Sequence, residues 1–351
     1  MGGGGEKGGA GAQQPERIGF LLMPQFSMMA LFGAVEPLRV ANRLSGRELY
    51  SWHIFSVDGA PVTASNGMAL MAEAGIADIE RFPVVVVCAS FGPETFDNKR
   101  VHAWLRRLDR QGSELGAIET GPYILAKAGL LKGYRITLHW ENVPSFIEEF
   151  PDIEVTGELY EVDGKRFTCS GGTGALDLIL HRISSAHGHD LAVAVSESLL
   201  HARIRNPADH QRMALGLRLR VRNPALLKIV QAMELNLEEP LSLDDLAALG
   251  GISRRQLERL FRNLLNDTPS GYYLKLRLRR ARHLLEHTSL SILEVSLACG
   301  FVSPPYFSRA YRAFFGLSPR EDRRALQVPG GRTGKVYHPP AGDLAAVEEE
   351  A

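Results

Sequence analysis

Hydrophobic positions in the first two hundred residues switch between short continuous runs and helical spacing. Arg17–Met23 (RIGFLLM) and Val84–Cys88 (VVVVC) are the apolar runs expected of strands buried in a parallel sheet, and the second is almost wholly β-branched. Around them the pattern predicts a helix from about Ser27 to Leu44, strand Ser51–Val57 and helix Phe96–Arg110. Strand Leu115–Ile118, helix Pro122–Ala128 and strand Arg135–Leu138 follow. Glu158–Val162 and Arg166–Thr168 read as a hairpin across Asp163-Gly164, with helices Ala175–Ser185 and Asp190–Ile204 after it. Such alternation predicts an α/β domain, a parallel sheet flanked by helices.

Past Asn206 the pattern changes. Asn206–Arg222 is polar and Arg-rich, and reads as a linker. Ala225–Leu237 then has Leu226, Leu227, Ile229, Val230 and Met233 on one helical face, and Pro269 to about Glu286 reads as a long helix. Flanking that helix, Leu241–Pro319 contains one pattern twice. Shifted by fifty residues, Asp244 falls on Glu294, Gly250 on Gly300, Ser253 on Ser303, Arg259 on Arg309 and Thr268-Pro269 on Ser318-Pro319. Each copy predicts a short helix stopped by a left-handed glycine (Gly250, Gly300) and a second helix capped by serine (Ser253, Ser303). In the first copy Leu257, Leu260, Phe261, Leu264 and Leu265 point inward, leaving Arg254, Arg255, Gln256, Arg259 and Arg262 outward. In the second, Phe307, Ala310, Tyr311, Phe314 and Phe315 are inward, and Tyr306, Ser308, Arg309 and Arg312 outward. Short helix, glycine turn and capped second helix make a helix-turn-helix, so the C-terminal part is expected to be all-α with two such units.

Charge decides what the outward faces are for. The whole chain has forty Lys and Arg against forty Asp and Glu, yet residues 251–325 carry fourteen against six. That local excess of eight positive charges is the footprint of a surface for double-stranded DNA. Arg254, Arg255, Gln256, Arg259, Tyr306, Ser308 and Arg309 are the expected base-edge contacts, and Arg262 and Arg312 the expected phosphate contacts. The three cysteines, Cys88, Cys169 and Cys299, lie far apart, which excludes a CxxC zinc site and suits a reducing cytoplasm. No apolar run is long enough to predict a membrane span, and no signal-peptide core is present. No cofactor is implied, and His187-Gly188-His189-Asp190, without a further cluster, makes a weak metal site.

The divisions expected are a disordered Gly-rich tail at 1–16, the α/β domain at 17–205, a linker at 206–222, the helical domain at 223–326 and a disordered tail at 327–351. Sites in parallel α/β sheets lie beyond the C-terminal strand ends. Three segments qualify: Ala89-Ser90-Phe91-Gly92, Glu119-Thr120-Gly121-Pro122 and His139-Trp140-Glu141. The second is a sharp strand-to-helix turn of the nucleophile-elbow kind. Ser170-Gly171-Gly172-Thr173-Gly174 precedes a helix and could cradle an anion, or be only a turn and cap; it lacks the lysine of a P-loop.

Two resemblances add to this reading. Ser253–Phe261, Leu276–Ala281 and Ala298–Ser303 through Ser318-Pro319 resemble the DNA-binding domain of AraC/XylS-type transcription regulators over about a hundred residues. Asn266 stands where that family has a glycine, and Asp322 where a tyrosine is frequent. Gly33–Glu36, Ala117–Pro122 and Thr137–Trp140 resemble the DJ-1/PfpI, or class I glutamine amidotransferase-like, domain across residues 17–205. Enzymes of that superfamily carry a reactive cysteine at the elbow, where this chain has Glu119. A carboxylate cannot replace a thiolate nucleophile, so a non-catalytic pocket is expected. The alternatives are a hydrolase or glyoxalase-type enzyme with a DNA-binding appendage, and a constitutive regulator whose α/β domain only dimerises.

Ala34–Asn42 with Leu44–Tyr50 resembles regulators of glycine betaine and carnitine catabolism that combine both domains in this order. The resemblance implies an activator working with RNA polymerase, a homodimer, and a small amine effector. Glu36, Ser90, Glu119, Thr120, His139 and Trp140 are then the ligand candidates, the carboxylates and indole being suited to a quaternary ammonium group.

Overall fold

Four consecutive valines mark the centre of the molecule's main sheet. In the computed structural model, which describes residues 14–92, 96–288 and 290–326, the chain divides into two units, Met1–Gln211 and Arg212–Ala351. The predicted tails lie almost wholly outside the described residues.

The first unit is a layered α/β fold. Its strands are β1 (Glu16–Leu22), β2 (Tyr50–Ser56), β3 (Val62–Thr63), β4 (Ala69–Leu70), β5 (Ala74–Gly75), β6 (Val84–Ala89), β7 (Glu114–Glu119), β8 (Arg135–Ile136), β9 (Glu154–Val155), β10 (Tyr160–Asp163) and β11 (Arg166–Cys169). Its helices are α1 (Met28–Ser45), α2 (Lys99–Arg110), α3 (Pro122–Lys127), α4 (Val143–Glu149), α5 (Gly174–His187) and α6 (His189–Ser198). The main sheet runs β10-β11-β7-β6-β1-β2-β5 and is parallel except for the β10–β11 hairpin. Alternation along the central strand sorts the two cores. Val84, Val86 and Cys88 pack with α1, α5 and α6, while Val85, Val87 and Ala89 pack with α2, α3 and α4. Both faces are thus covered, as a parallel sheet requires.

Three features differ from the sequence expectation. Residues 135–138 do not enter the main sheet: β8 pairs with β9, because β11 occupies the edge of β7 that a further strand would need. Thr137 N instead donates to Thr168 Oγ1 at 2.8 Å. Helix α6 stops at Ser198, six residues short of Ile204, because Leu200 turns left-handed at φ +55° and His201 N bonds back to Ser196 O at 2.9 Å. Finally, residues 215–219 of the stretch read as a linker are helical, although the boundary between the units does fall within that stretch.

The second unit contains α7 (Leu215–Leu219), α8 (Pro224–Leu235), α9 (Leu243–Gly250), α10 (Arg254–Leu265), α11 (Pro269–His287), α12 (Ile292–Ala298), α13 (Pro304–Phe315) and α14 (Pro319–Leu326). The long helix α11 serves two cores. Tyr273 packs with Leu226, Ile229, Leu246, Leu257 and Phe261, whereas Leu278, Leu284 and Leu285 pack with Val295, Phe307 and Tyr311. Ser242 with Asp245 and Ser291 with Glu294 form reciprocal capping boxes at the starts of α9 and α12.

These caps expose an error in the fifty-residue alignment. The left-handed glycines are Gly251 (φ +64°) and Gly300 (φ +74°), which together with the caps are related by a shift of forty-nine. Gly250 is the last helical residue; a Cβ there would come 2.6 Å from Ile229 Cδ1, so it is needed for space and not for a turn. Ile252 N bonds Ala247 O at 3.0 Å and Phe301 N bonds Ser296 O at 2.9 Å, which makes these two equivalent. The second turn therefore carries one additional residue, Val302, before Ser303.

Candidate functional site

Strand β7 ends in backbone strain. Glu119 sits at φ +63°, a conformation that L side chains rarely adopt, and the chain reverses at once into α3. Gly121 permits the turn, since a Cβ there would lie 2.4 Å from Val87 O. Thr120 fastens it to the end of β6: its Oγ1 donates to Ser90 O at 2.6 Å. His139 N donates to Glu119 O at 3.2 Å, bringing the third predicted segment to the same point.

Glu119 lines a cavity of about 200 Å³ shared with His139, Trp140, Ser170, Arg205 and Gln211. The Ser170–Gly174 turn lies over its side chain. Gly171, at φ +83°, would put a Cβ 2.3 Å from Glu119 Cγ. One carboxyl oxygen, Oε2, is buried without a hydrogen-bond partner. Burial pushes the pKa of this carboxyl up to about 7, opposed by the Ser90 and Ser27 hydroxyls and reinforced by Glu141. Burial likewise pushes the His139 imidazole down, against Glu141, whose Oε2 is 3.8 Å from Nδ1. The Trp140 ring, 37% exposed, lies 5.7 Å from that of His139.

Gly171→Ala is expected to displace Glu119 and to cost about 1–2 kcal/mol from the left-handed strain alone. Urea unfolding of the variant checks this, and an unchanged midpoint would remove Gly171 from the account.

Two thiols flank the elbow. Cys88 and Cys169 both stand opposite Ile118 in the strands on either side of β7. Both are buried; burial pushes Cys169 up to about 12 and Cys88 well above its usual value. They persist as thiols, unsuited to nucleophilic work.

The far wall of the cavity is built around Asp177. This fully buried carboxylate accepts from Arg205 N (2.7 Å), Nε (2.9 Å) and Nη2 (2.6 Å), and lies 2.9 Å from His201 Nε2. Arg205 Nη2 also donates to Thr173 Oγ1 at 2.6 Å. Gln211 Nε2 donates to Thr137 Oγ1, Leu138 O and Glu158 O at 2.8–3.0 Å, while its Oε1 is buried with no donor. Sequence reading missed Arg205 and Gln211, although the Ser170–Gly174 turn had been singled out. Glu36 needs correcting: it does not line the cavity, because its carboxylate is taken by Arg39 one turn along α1, at 2.6 and 2.9 Å. Thr120 is buried, and Ser90 hydrogen-bonds the Glu119 carboxyl; neither lines the cavity.

In the second unit, Arg254, Arg255, Arg259 and Arg262 are exposed along α10, and Arg309 and Arg312 along α13. Arg254 lies 3.9 Å from both Asp244 and Glu258. Gln256, also exposed, keeps only its amide nitrogen for a base edge. Its Oε1 accepts from Ser253 N (2.8 Å) and Ser253 Oγ (3.0 Å), so the amide oxygen is committed to capping α10. Tyr306 and Ser308 are half-buried, Tyr306 with its ring 6.2 Å from Phe301.

Residues 16–185 match the DJ-1/PfpI family, and residues 246–325 match the helix-turn-helix domain family. The chain is 48% identical over 312 residues to the HTH-type transcriptional regulator GbdR of Pseudomonas aeruginosa, covering 89% of this chain and 85% of that protein. It is 50% identical over 309 residues to the regulator CdhR of the same species, covering 88% and 92%. With the regulator ArgR, also of that species, identity is 44% over 310 residues, covering 88% and 93%. The chain belongs to the AraC-type transcriptional regulators that carry a DJ-1/PfpI domain. It is thus a DNA-binding regulator of transcription, and the elbow carboxyl is a feature of a regulator's α/β domain.

Within this AraC-type protein the pinning of the second helix-turn-helix was not foreseen. Arg277 of α11 donates from Nε to Cys299 O at 2.8 Å and from Nη2 to Gly300 O at 2.7 Å, with its guanidinium 4.1 Å above the Phe301 ring. This arginine is therefore held in the fold of the second unit. No helix among the described residues is long and apolar enough to cross a membrane, and these residues contain no group of three potential metal ligands.

Proposed function

We propose that the first unit is a non-catalytic sensor whose cavity holds a small amine cation, and that occupancy controls promoter binding and activation by the second. The observation that carries this reading is Glu119: a desolvated carboxyl at the elbow, in one cavity with the half-exposed Trp140. Carboxylate plus indole attracts an organic cation through charge and the ring quadrupole, which favours a quaternary ammonium compound such as glycine betaine or carnitine. His139 stays as a ligand contact, and Arg205, whose Nη1 bonds to none of the described residues, suits the carboxylate of such a compound. The regulator names of the similar proteins, and the buried thiols Cys88 and Cys169, speak against catalysis.

The regulator would act as a cytoplasmic homodimer at the nucleoid, recruiting RNA polymerase. Helices α10 and α13 would enter successive major grooves, about 34 Å apart on one face of the duplex. Arg255, Arg259 and Arg309 then meet base edges, with Arg262 and Arg312 on phosphates. Arg259→Ala is expected to cost about 1–3 kcal/mol at one base pair. Equal loss on every sequence, measured by binding to a panel of singly substituted operators, would assign Arg259 to phosphate instead.

Thermal unfolding against glycine betaine, dimethylglycine, carnitine, choline and arginine tests the sensor reading. A ligand at 100 times its Kd adds about 2.7 kcal/mol of stability. No shift with any of the five would sink an amine effector.

A further inference from the structure

The two helix-turn-helix units differ by one inserted residue, and that residue is the most exposed large apolar side chain among those described. Val302 is 97% exposed. Its backbone is held from both sides. Before it, Phe301 is 2% exposed, with the Arg277 guanidinium stacked on its ring and bonded to Cys299 O and Gly300 O. After it, Ser303 Oγ accepts from Tyr306 N at 3.4 Å and caps α13. A valine between two such anchors cannot turn back into the core.

Pro304 and Pro305, both exposed, follow at once. The leading end of α13 is therefore apolar, whereas that of α10 carries Arg254, Arg255 and Gln256. An exposed valine alone means little, since single apolar residues are common on surfaces. Its position gives it meaning here. The N-terminal end of the second helix of this motif meets base edges in the major groove, and the apolar group presented there is the C5 methyl of thymine.

We propose that Val302, followed by the exposed Pro304 and Pro305, reads a thymine methyl group in the half of the operator bound by the second helix-turn-helix. The duplicated motif then differs in its chemistry: α10 offers only polar and arginine contacts, whereas α13 adds to Arg309 an apolar tip that selects thymine. Val302 is a specificity-determining contact within the DNA-binding activity already established. The competing occupant is a protein, because Leu293 and Leu297 of α12 are also exposed, at 52% and 53%.

The experiment uses the full-length protein and a duplex selected from a random pool by that protein. Binding is measured to this duplex and to the same duplex with dU replacing every dT, which removes only methyl groups, for the native protein and Val302→Ala. The native protein should bind the dU duplex at least about fourfold more weakly, the equivalent of one buried methyl. Val302→Ala should weaken binding to the dT duplex by a similar factor and lose that part of the dU penalty. Thermal unfolding of Val302→Ala should match the native protein, because the side chain is outside the core. A dU penalty that Val302→Ala leaves intact, or no penalty at all, overturns the proposal. Loss of promoter activation with unchanged DNA affinity also overturns it and assigns Val302 to a protein contact.

Discussion

Replacing Glu119 by glutamine is expected to abolish the stabilisation conferred by the amine effector and, above pH 7, to raise the stability of the empty protein. The two effects have one cause. Burial holds the folded carboxyl at about 7 against an ordinary value of 4.5, so between these values the folded state keeps its proton more tightly than the unfolded chain. The stability contributed by Glu119 is therefore fully present below about pH 4.5 and is lost as pH rises through 7. Glutamine keeps the shape without the titration. At pH 8 the variant should exceed the native protein by on the order of 2 kcal/mol, discounted for solvent reaching the cavity, and at pH 4 the two should coincide. A bound cation reverses the preference of the carboxyl. It favours the ionised form, so affinity should fall toward tenfold per unit as pH drops below about 7, with one proton released on binding. The other titratable or charged groups facing the site are His139, which burial keeps neutral, Glu141 and the Arg205 guanidinium; Cys88 and Cys169 remain protonated. Calorimetric titration in buffers of different ionisation enthalpy counts the proton. An affinity independent of pH, or an effector shift that survives in Glu119→Gln, would remove Glu119 from the site.

Most of the sheet was legible because burial on both faces leaves a strand no polar positions: β1 and β6 can be read directly from RIGFLLM and VVVVC. The hairpin and the capped helices were legible for the same local reason, since Asp163-Gly164, Ser253 and Ser303 act within a few residues of themselves. Pairing is not local. Nothing in residues 135–138 says that β11 has taken the neighbouring edge of β7. Gln211 reaches its three acceptors across more than fifty residues of chain, so the polar stretch that holds it looked like a linker, and Arg205 reaches Asp177 across twenty-eight. Glu36 failed for a different reason. Its helix was placed correctly, but Arg39 at i+3 offers a nearer partner than the cavity. The final helix, α14, did have a signal: Ser318 with Glu321 is a capping box, seen in the bond of 2.8 Å from Ser318 N to Glu321 Oε2.

Asp322→Ala should destabilise the second helix-turn-helix by about 3–5 kcal/mol, the usual consequence of removing one partner from a buried ion pair. Asp322 is 3% exposed. Its Oδ2 accepts from Tyr311 Oη at 2.7 Å and lies 3.2 Å from Arg282 Nε. Tyr311 is fully buried, and burial together with Asp322 raises its pKa, so the hydroxyl stays protonated and needs an acceptor. The carboxylate thus joins α14, α13 and α11 at one point, behind the helix that carries Arg309 and Arg312. Alanine would strand the Tyr311 hydroxyl in an apolar core and weaken the hold on Arg282. Tyr311→Phe removes the donor together with its need, and should cost only about 1 kcal/mol. Combining the two substitutions should cost less than their sum, since the tyrosine hydroxyl no longer lacks a partner. Urea unfolding of the three variants measures that coupling, and strict additivity would show that the hydrogen bond contributes nothing to the packing of α14. Because α13 rests on this joint, Asp322→Ala should also weaken operator binding, and do so most where the second helix-turn-helix makes its contacts.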